Sequence, residues 1–224
     1  MSFDFTLLAS GPFELPGGWH VARLSDVVII NELGIQSDYK HEWIEYIDIA
    51  SVEKGTIREI QHIRLEEAPS RARRIVSDDD TLISTVRPNL EHYVFVKKAK
   101  PNLIASTGFA VVTAKQADAR FIYYYLTTRP FTEYLTRIAD SHTSAYPSFN
   151  PDVIEKAELL LPPLNEQRAI AHILGSLDDK IELNRRMNET LEAMARVIFK
   201  SWFVDFDLVR AKAEGRAPGL PKEI

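Results

Sequence analysis

The 224-residue chain has no cysteine, which excludes a disulfide framework, a thiolate metal site and a cysteine nucleophile. It also lacks long apolar runs. Stretches such as Val27–Ile30 fall far short of the roughly 18 residues of a membrane span, so no membrane partner is expected. The amino-terminal MSFDFTLLAS has no basic segment ahead of its apolar residues, so a secretory signal is not expected. An excess of positive charge is missing as well. The 27 Lys and Arg against 32 Asp and Glu give a net charge of −5, which argues at first sight against a nucleic-acid binder. What remains is 45% hydrophobic and 26% charged, the composition of a soluble, cytoplasmic globular protein.

Catalytic signatures are absent too. There is no glycine-rich dinucleotide loop, no phosphate-binding loop and no nucleophile elbow. The six histidines stand singly, and none forms a zinc-binding pair, so no metal site is expected. Asp78-Asp79-Asp80 lies between two strand-like runs and reads as a solvated turn rather than a cation site. Pro151-Asp152 followed by Glu155-Lys156 lacks the residue that a nuclease pattern needs between Glu and Lys. Phe149-Asn150-Pro151-Asp152 lacks the second proline and aromatic of an amino-methyltransferase motif. No S-adenosylmethionine loop is found. These absences favour a binding protein over an enzyme.

Two kinds of sequence follow one another, with the change near residue 162. Before it, Val27–Ile30, Ile44–Ile49, Leu82–Val86, Tyr93–Val96 and Phe109–Val112 read as strands. Ala119–Ala139 reads as helix, kinked or divided at Pro130. Pro162-Pro163 then stops any element from continuing, and Asn165 stands where an N-cap would. Beyond it, Ile170, Leu174, Leu177, Ile181, Asn184, Asn188, Leu191, Ala195, Ile198 and Trp202 alternate at spacings of four and three. That is a heptad seam. Some 35 residues of helix make a rod of roughly 50 Å. A domain of about 160 residues is on the order of 30–40 Å across, so part of the seam should meet another helix. Asn184 and Asn188 straddle its midpoint. They either face solvent or meet each other in an antiparallel pair, where a polar seam residue fixes register.

Charge is unevenly spread. Residues 1–53 carry 2 basic and 9 acidic side chains, and residues 54–137 carry 14 basic and 9 acidic. Arg71, Arg73, Arg74, Arg87, Lys97 and Lys98 lie in that central segment, interleaved with Asn89, His92 and Asn102. This is either an ordinary solvated face or an arrangement for phosphates and base edges.

Leu161 to Lys212, LPPLNEQRAIAHILGSLDDKIELNRRMNETLEAMARVIFKSWFVDFDLVRAK, closely resembles the helical region shared by type I restriction-modification specificity subunits. LPGGWHVARLSDV (15–27), STVRPNL (84–90), ASTGFAVV (105–112) and SAYPSFNPDVI (144–154) resemble the target recognition domain of that family. The resemblance implies an α+β/α/β globular target recognition domain over residues 1–162. A long α-helix forming an antiparallel coiled coil would follow over 163–210, and a tail or linker over 211–224. It implies a non-catalytic subunit that reads half of a bipartite site in double-stranded DNA. Its partners would be modification (methyltransferase) subunits, restriction subunits, and a second copy or second recognition half. No cofactor is expected on this chain; S-adenosylmethionine, ATP and Mg belong to the partner subunits.

On that reading Arg71, Arg73, Arg74, Lys97 and Lys98 contact phosphates. Arg87, Asn89, Thr143, Ser144, Tyr146 and Ser148 sit near the DNA or shape the loops that do. The helix-pairing interface comprises Ile170, Leu174, Leu177, Ile181, Asn184, Asn188, Leu191, Ile198 and Trp202. A complete specificity subunit is about twice this length and holds two such units. The chain is therefore either a half-subunit that dimerises or the first half of a longer subunit, and APGLPKEI has the look of a linker. The competing reading is a coiled-coil interaction protein without DNA binding.

Overall fold

The computed structural model describes residues 15–141 and 146–216. Two compact units divide after His172.

The first unit is built on two four-stranded sheets. One has the order β2 (Val28–Ile30), β11 (Phe109–Ala114), β8 (Thr81–Ser84), β9 (Tyr93–Phe95), all antiparallel. The other has the order β6 (Gln61–Arg64), β3 (Trp43–Ile47), β10 (Leu103–Ser106), β7 (Ala72–Ile75), with β3 and β10 parallel. The short strands β4 (Val52–Glu53) and β5 (Thr56–Ile57) pair separately.

Burial follows strand alternation. On β11, Ala110 and Val112 enter a core shared with the helices, while Phe109 and Val111 enter a second core with Leu103 and Ala105 of β10. Ile104 enters a third, under Ile35, Tyr39 and Leu65. Strands β10 and β11 are thus buried on both faces, which is why FAVV is an unbroken apolar run. Gly108, between them, is held by space: a Cβ there would run into Ile49 Cδ1.

The helix expected over 119–139 is two, α2 (Ala119–Leu126) and α3 (Arg129–Ser141). Asp118 caps α2 by accepting from Phe121 N at 3.0 Å. Thr127 and Thr128 turn their hydroxyls back on the carbonyls of Tyr123 and Tyr125, and Pro130 takes the second position of α3, where its missing N–H costs nothing. Asp80 departs from the expected solvated turn. It is 2% exposed, accepting from Thr113 Oγ1 at 2.6 Å and Ser77 N at 2.7 Å. Asp78 and Asp79 are the exposed pair.

The strand β1 (His20–Arg23), followed by the single turn α1 (Leu24–Val27), pairs with β12 (Glu158–Leu161), which follows the turn α4 (Asp152–Glu155). Around this pair the LPGGW and LPPLNEQ motifs interlock. Gly18 takes φ +86°, and a Cβ there would meet Pro163 Cγ at 2.8 Å. Trp19 Nε1 donates to Glu166 at 2.8 Å. Gln167, 2% exposed, donates to the Pro162 carbonyl at 2.7 Å and accepts from Asp118 N at 2.9 Å. The long helix α5 (Leu164–Phe199) therefore starts two residues earlier than a cap at Asn165 implies. Pro163 O accepts from Glu166 N and Gln167 N, so the cap position falls on Pro163 and not Asn165.

The second unit contains the greater part of α5. Its charges pair along one side: Arg186 with Glu182, Arg185 with Glu189, Arg196 with Glu192. The α-helix does not run unbroken through 163–210. Lys200–Val204 forms a π-turn, closed by Asp205 N donating to Lys200 O at 2.8 Å. Phe206 then takes φ +54° and starts α6 (Asp207–Ala213), whose Asp207 accepts from Ser201. The heptad register thus holds to Phe199, and Trp202 lies in the π-turn. Residues 217–224 of the expected tail lie outside the described residues.

Candidate nucleic-acid interface

Strand directions decide which basic residues share a neighbourhood. β8 runs antiparallel to β11, and β7 antiparallel to β10, so the end of β8 and the start of β7 both lie beside the Thr107–Gly108 link. Thr107 N donates to Arg71 O at 2.8 Å, and Gly108 O accepts from Thr85 N and Thr85 Oγ1. Burial, with the Asp48 charge, raises the Tyr46 pKa, opposed by its hydrogen bond to Ser106 and by the Arg71 charge.

Here the VRPN turn and the segment 146–149 are laced together. Arg87 N donates to Pro147 O at 2.8 Å, Phe149 N donates to Thr85 O at 3.0 Å, and Val86 bridges to Ser148. Phe149 is buried and Ser148 half-buried, while Tyr146 stands 68% exposed under the Arg87 guanidinium, 5.3 Å from ring centroid to Cζ. Arg87 and Glu91 take left-handed φ values of +48° and +56° at either end of the 3₁₀ turn Pro88–Leu90, which leaves Asn89 exposed. Non-glycine residues rarely adopt this conformation, and such strain concentrates at functional sites. Thr143 and Ser144 lie outside the described residues.

Other residues of the expected set are elsewhere. Lys97 and Lys98 follow β9, at the opposite end of the first sheet from Arg87: Asp79 N donates to Val96 O, and Ala99 N donates to Asp78. Six residues separate Thr81 from Arg87, up to about 20 Å of extended chain. The nearby Lys100 is taken up by Glu45. On β7, Arg73 is exposed and donates to Ser70 O. Arg74, its alternate neighbour, is half-buried, with Nε lacking a hydrogen-bond partner. The positive segment of the sequence is therefore split across two ends of the fold.

Residue spacing on α3 held a signal that the charge count passed over. Phe131, Tyr134, Leu135 and Ala139 are buried. The opposite side presents Arg129, Thr132, Glu133, Thr136 and Arg137 at helical spacing, facing Asn89 and Glu91 across a cleft of about 670 Å³.

On α5, Leu174, Leu177, Ile181, Asn184, Asn188 and Leu191 are exposed; Ile170 packs against the core of the first unit, Ile198 is half-buried and Trp202 remains 39% exposed. A second exposed apolar row, Ile173, Leu183, Met187 and Met194, runs beside the first. Among the described residues, no group of three or more His, Cys, Asp or Glu is placed to hold a metal ion.

Residues 16–193 match the family described as "Type I restriction modification DNA specificity domain". The chain belongs to that family. It is 34% identical over 182 residues to the HindI specificity subunit of Haemophilus influenzae, covering 80% of this chain and 40% of that protein. It is 27% identical over 219 residues to the MjaIX specificity subunit of Methanocaldococcus jannaschii, covering 94% and 50%. The HsdS subunit of Thermoanaerobacter tengcongensis superposes with a TM-score of 0.65 at 27% identity, over 85% of this chain and 51% of that one. The chain thus spans about half the length of the relatives it matches. Specificity subunits of this family are non-catalytic.

Proposed function

We infer that this chain is one DNA-reading half of a type I restriction-modification specificity assembly, in the cytoplasm. The observation that carries the reading is the laced pair of segments, 85–90 and 146–149, exposing Arg87, Asn89 and Tyr146 on a domain matched to the family. Arg71 joins them from the start of β7. Arg, Asn, Ser and Tyr are the side chains that bind phosphates and base edges, and a strained turn fastened by backbone hydrogen bonds holds them in place. Lys97 and Lys98 lie at the opposite end of the first sheet, and Arg73 and the half-buried Arg74 follow Arg71 along β7; these would meet a different stretch of DNA or none.

The exposed seam of α5 pairs antiparallel with a second copy or with the corresponding helix of a second recognition half. Asn184 then meets Asn188 and fixes the register. The second apolar row accommodates another helix, from a modification subunit. Methylation, with S-adenosylmethionine, and ATP- and Mg-dependent cleavage reside in those partners and in the restriction subunits. A reading as a coiled-coil protein without DNA binding leaves the strained VRPN turn unexplained.

The test is a gel shift with random-sequence duplex DNA, with and without the modification subunit, followed by sequencing of methylated sites in cells carrying the system. An interrupted motif containing this domain's half-site is expected, palindromic if two copies pair. Absence of DNA binding in both arms refutes the reading.

A further inference from the structure

We propose that the cleft between α3 and the VRPN turn holds the sugar-phosphate backbone of one DNA strand, with Arg137 as its cation. The inference rests on the DNA-reading function above and extends it to a helix that neither the family match nor the charge pattern singles out.

Four observations carry it. First, every residue lining the cleft ends in a polar or charged group, while their carbon stems form much of its wall, as suits a sugar-phosphate chain with both polar and apolar parts. Second, its acidic members are engaged. Glu133 holds Arg129 at 2.8 Å, and Glu91 holds Lys54 at 2.8 Å. The lining balances two carboxylates against two guanidiniums, but both carboxylates are already paired and Arg137 has no ion pair with any described residue, so its charge is the unpaired one in the cleft. Third, Thr136 uses its hydroxyl hydrogen on the Thr132 carbonyl at 2.8 Å, and Asn89 stands exposed across from it. The Asn89 amide and the Thr132 hydroxyl are thereby the neutral donors that share the cleft with Arg137. Fourth, the VRPN turn is shared: Asn89 lines the cleft, and Arg87, two residues earlier, stacks on Tyr146. A duplex contacting Arg87 thus has its backbone led past Asn89 towards Arg137, without any rearrangement of the fold. Arginine suits the role because its planar fork grips phosphate oxygens with paired hydrogen bonds.

The experiment measures binding of the full chain, alone and with its modification subunit, to random-sequence duplex DNA over a range of salt concentrations. Arg137→Ala, Arg137→Lys and Arg87→Ala are compared with wild type, and circular dichroism verifies folding. Arg137 is exposed, so the variants should fold. Arg137→Ala is expected to weaken binding on the order of tenfold for all sequences and to lower the salt slope by about one. Arg137→Lys should keep the slope. If Arg137→Ala leaves affinity and slope unchanged while Arg87→Ala weakens binding, the cleft proposal fails and the DNA-reading function stands. If Arg137→Ala alters target preference with an unchanged slope, Arg137 reads a base and the backbone assignment is overturned. If wild type binds no DNA in either form, the functional reading falls and takes this inference with it.

Discussion

Replacing Gln167 by Leu tests whether the start of α5 is fastened by one buried amide. The side chain is 2% exposed and spans two backbone groups, the Pro162 carbonyl and the Asp118 N–H. Leucine has nearly the same volume and can make neither bond. Each backbone group left buried without a partner costs about 1–3 kcal/mol. Leucine recovers part of this, because its own burial is favourable where that of the amide was costly. A net loss of about 2–4 kcal/mol follows. With a urea m-value of about 2 kcal/mol/M, the unfolding midpoint should fall by about 1–2 M. The assay is urea unfolding of the full chain at fixed protomer concentration, followed by fluorescence. Trp19 reports directly, since it donates to Glu166 one residue away. A Gln167→Leu midpoint within about 0.2 M of wild type would refute the reasoning, because it would mean that Asp118 N–H and Pro162 O find other partners at little cost.

Gly108→Ala drives a Cβ into Ile49 Cδ1 and should cost about 1–3 kcal/mol. Ile49→Val removes that methyl, so the double variant should recover much of the loss in thermal melts. Asp80 has its pKa raised, first by burial, against the opposing hydrogen bonds from Thr113 and Ser77. Its folded pKa therefore lies above its unfolded one, and folding takes up protons between the two. That contribution to stability is present below the unfolded value of 3.8 and is lost as pH rises through the folded value, opposite to a salt-bridged aspartate. Asp80→Asn should remove this component from a plot of melting temperature against pH, and an unaltered plot would exclude Asp80 as its source. Asn184→Leu with Asn188→Leu should strengthen helix pairing and loosen its register. Sedimentation should then show more assembly, or mixed species, and an unchanged distribution would place both asparagines outside the interface.

The sequence announced some elements and hid others for physical reasons. FAVV stood out because β11 is buried on both faces, and the heptad rows of α5 stood out because nothing breaks them before Phe199. QHIR and ARRI became edge strands rich in polar residues, and propensity alone does not mark such segments as β. Asp80 looked like its two acidic neighbours; only the fold turns it towards Thr113. The candidate site was legible as motifs but not as a place. VRPN and AYPSFN lie some sixty residues apart, and backbone hydrogen bonds between them make one surface. The same topology separates Lys97 and Lys98 from Arg87, which a count of charges along the chain cannot foresee. The stripe on α3 was readable from its spacing, yet a mixture of Arg, Thr and Glu carries no charge signal.

The pairing of β1 with β12 brings the segment at 20–23 alongside the one at 158–161, immediately before α5 begins. The recognition domain is thus a closed loop of chain whose two ends leave from the same spot, the geometry that makes a domain transferable. Recombination that crosses over near LPGGW and again near LPPLNEQ would exchange everything between as a cassette. The incoming domain would find the same strand pair, the same Trp19–Glu166 contact and the same glycine against Pro163. On the proposed function, target choice would pass with the cassette, while the helix that follows is left as it was.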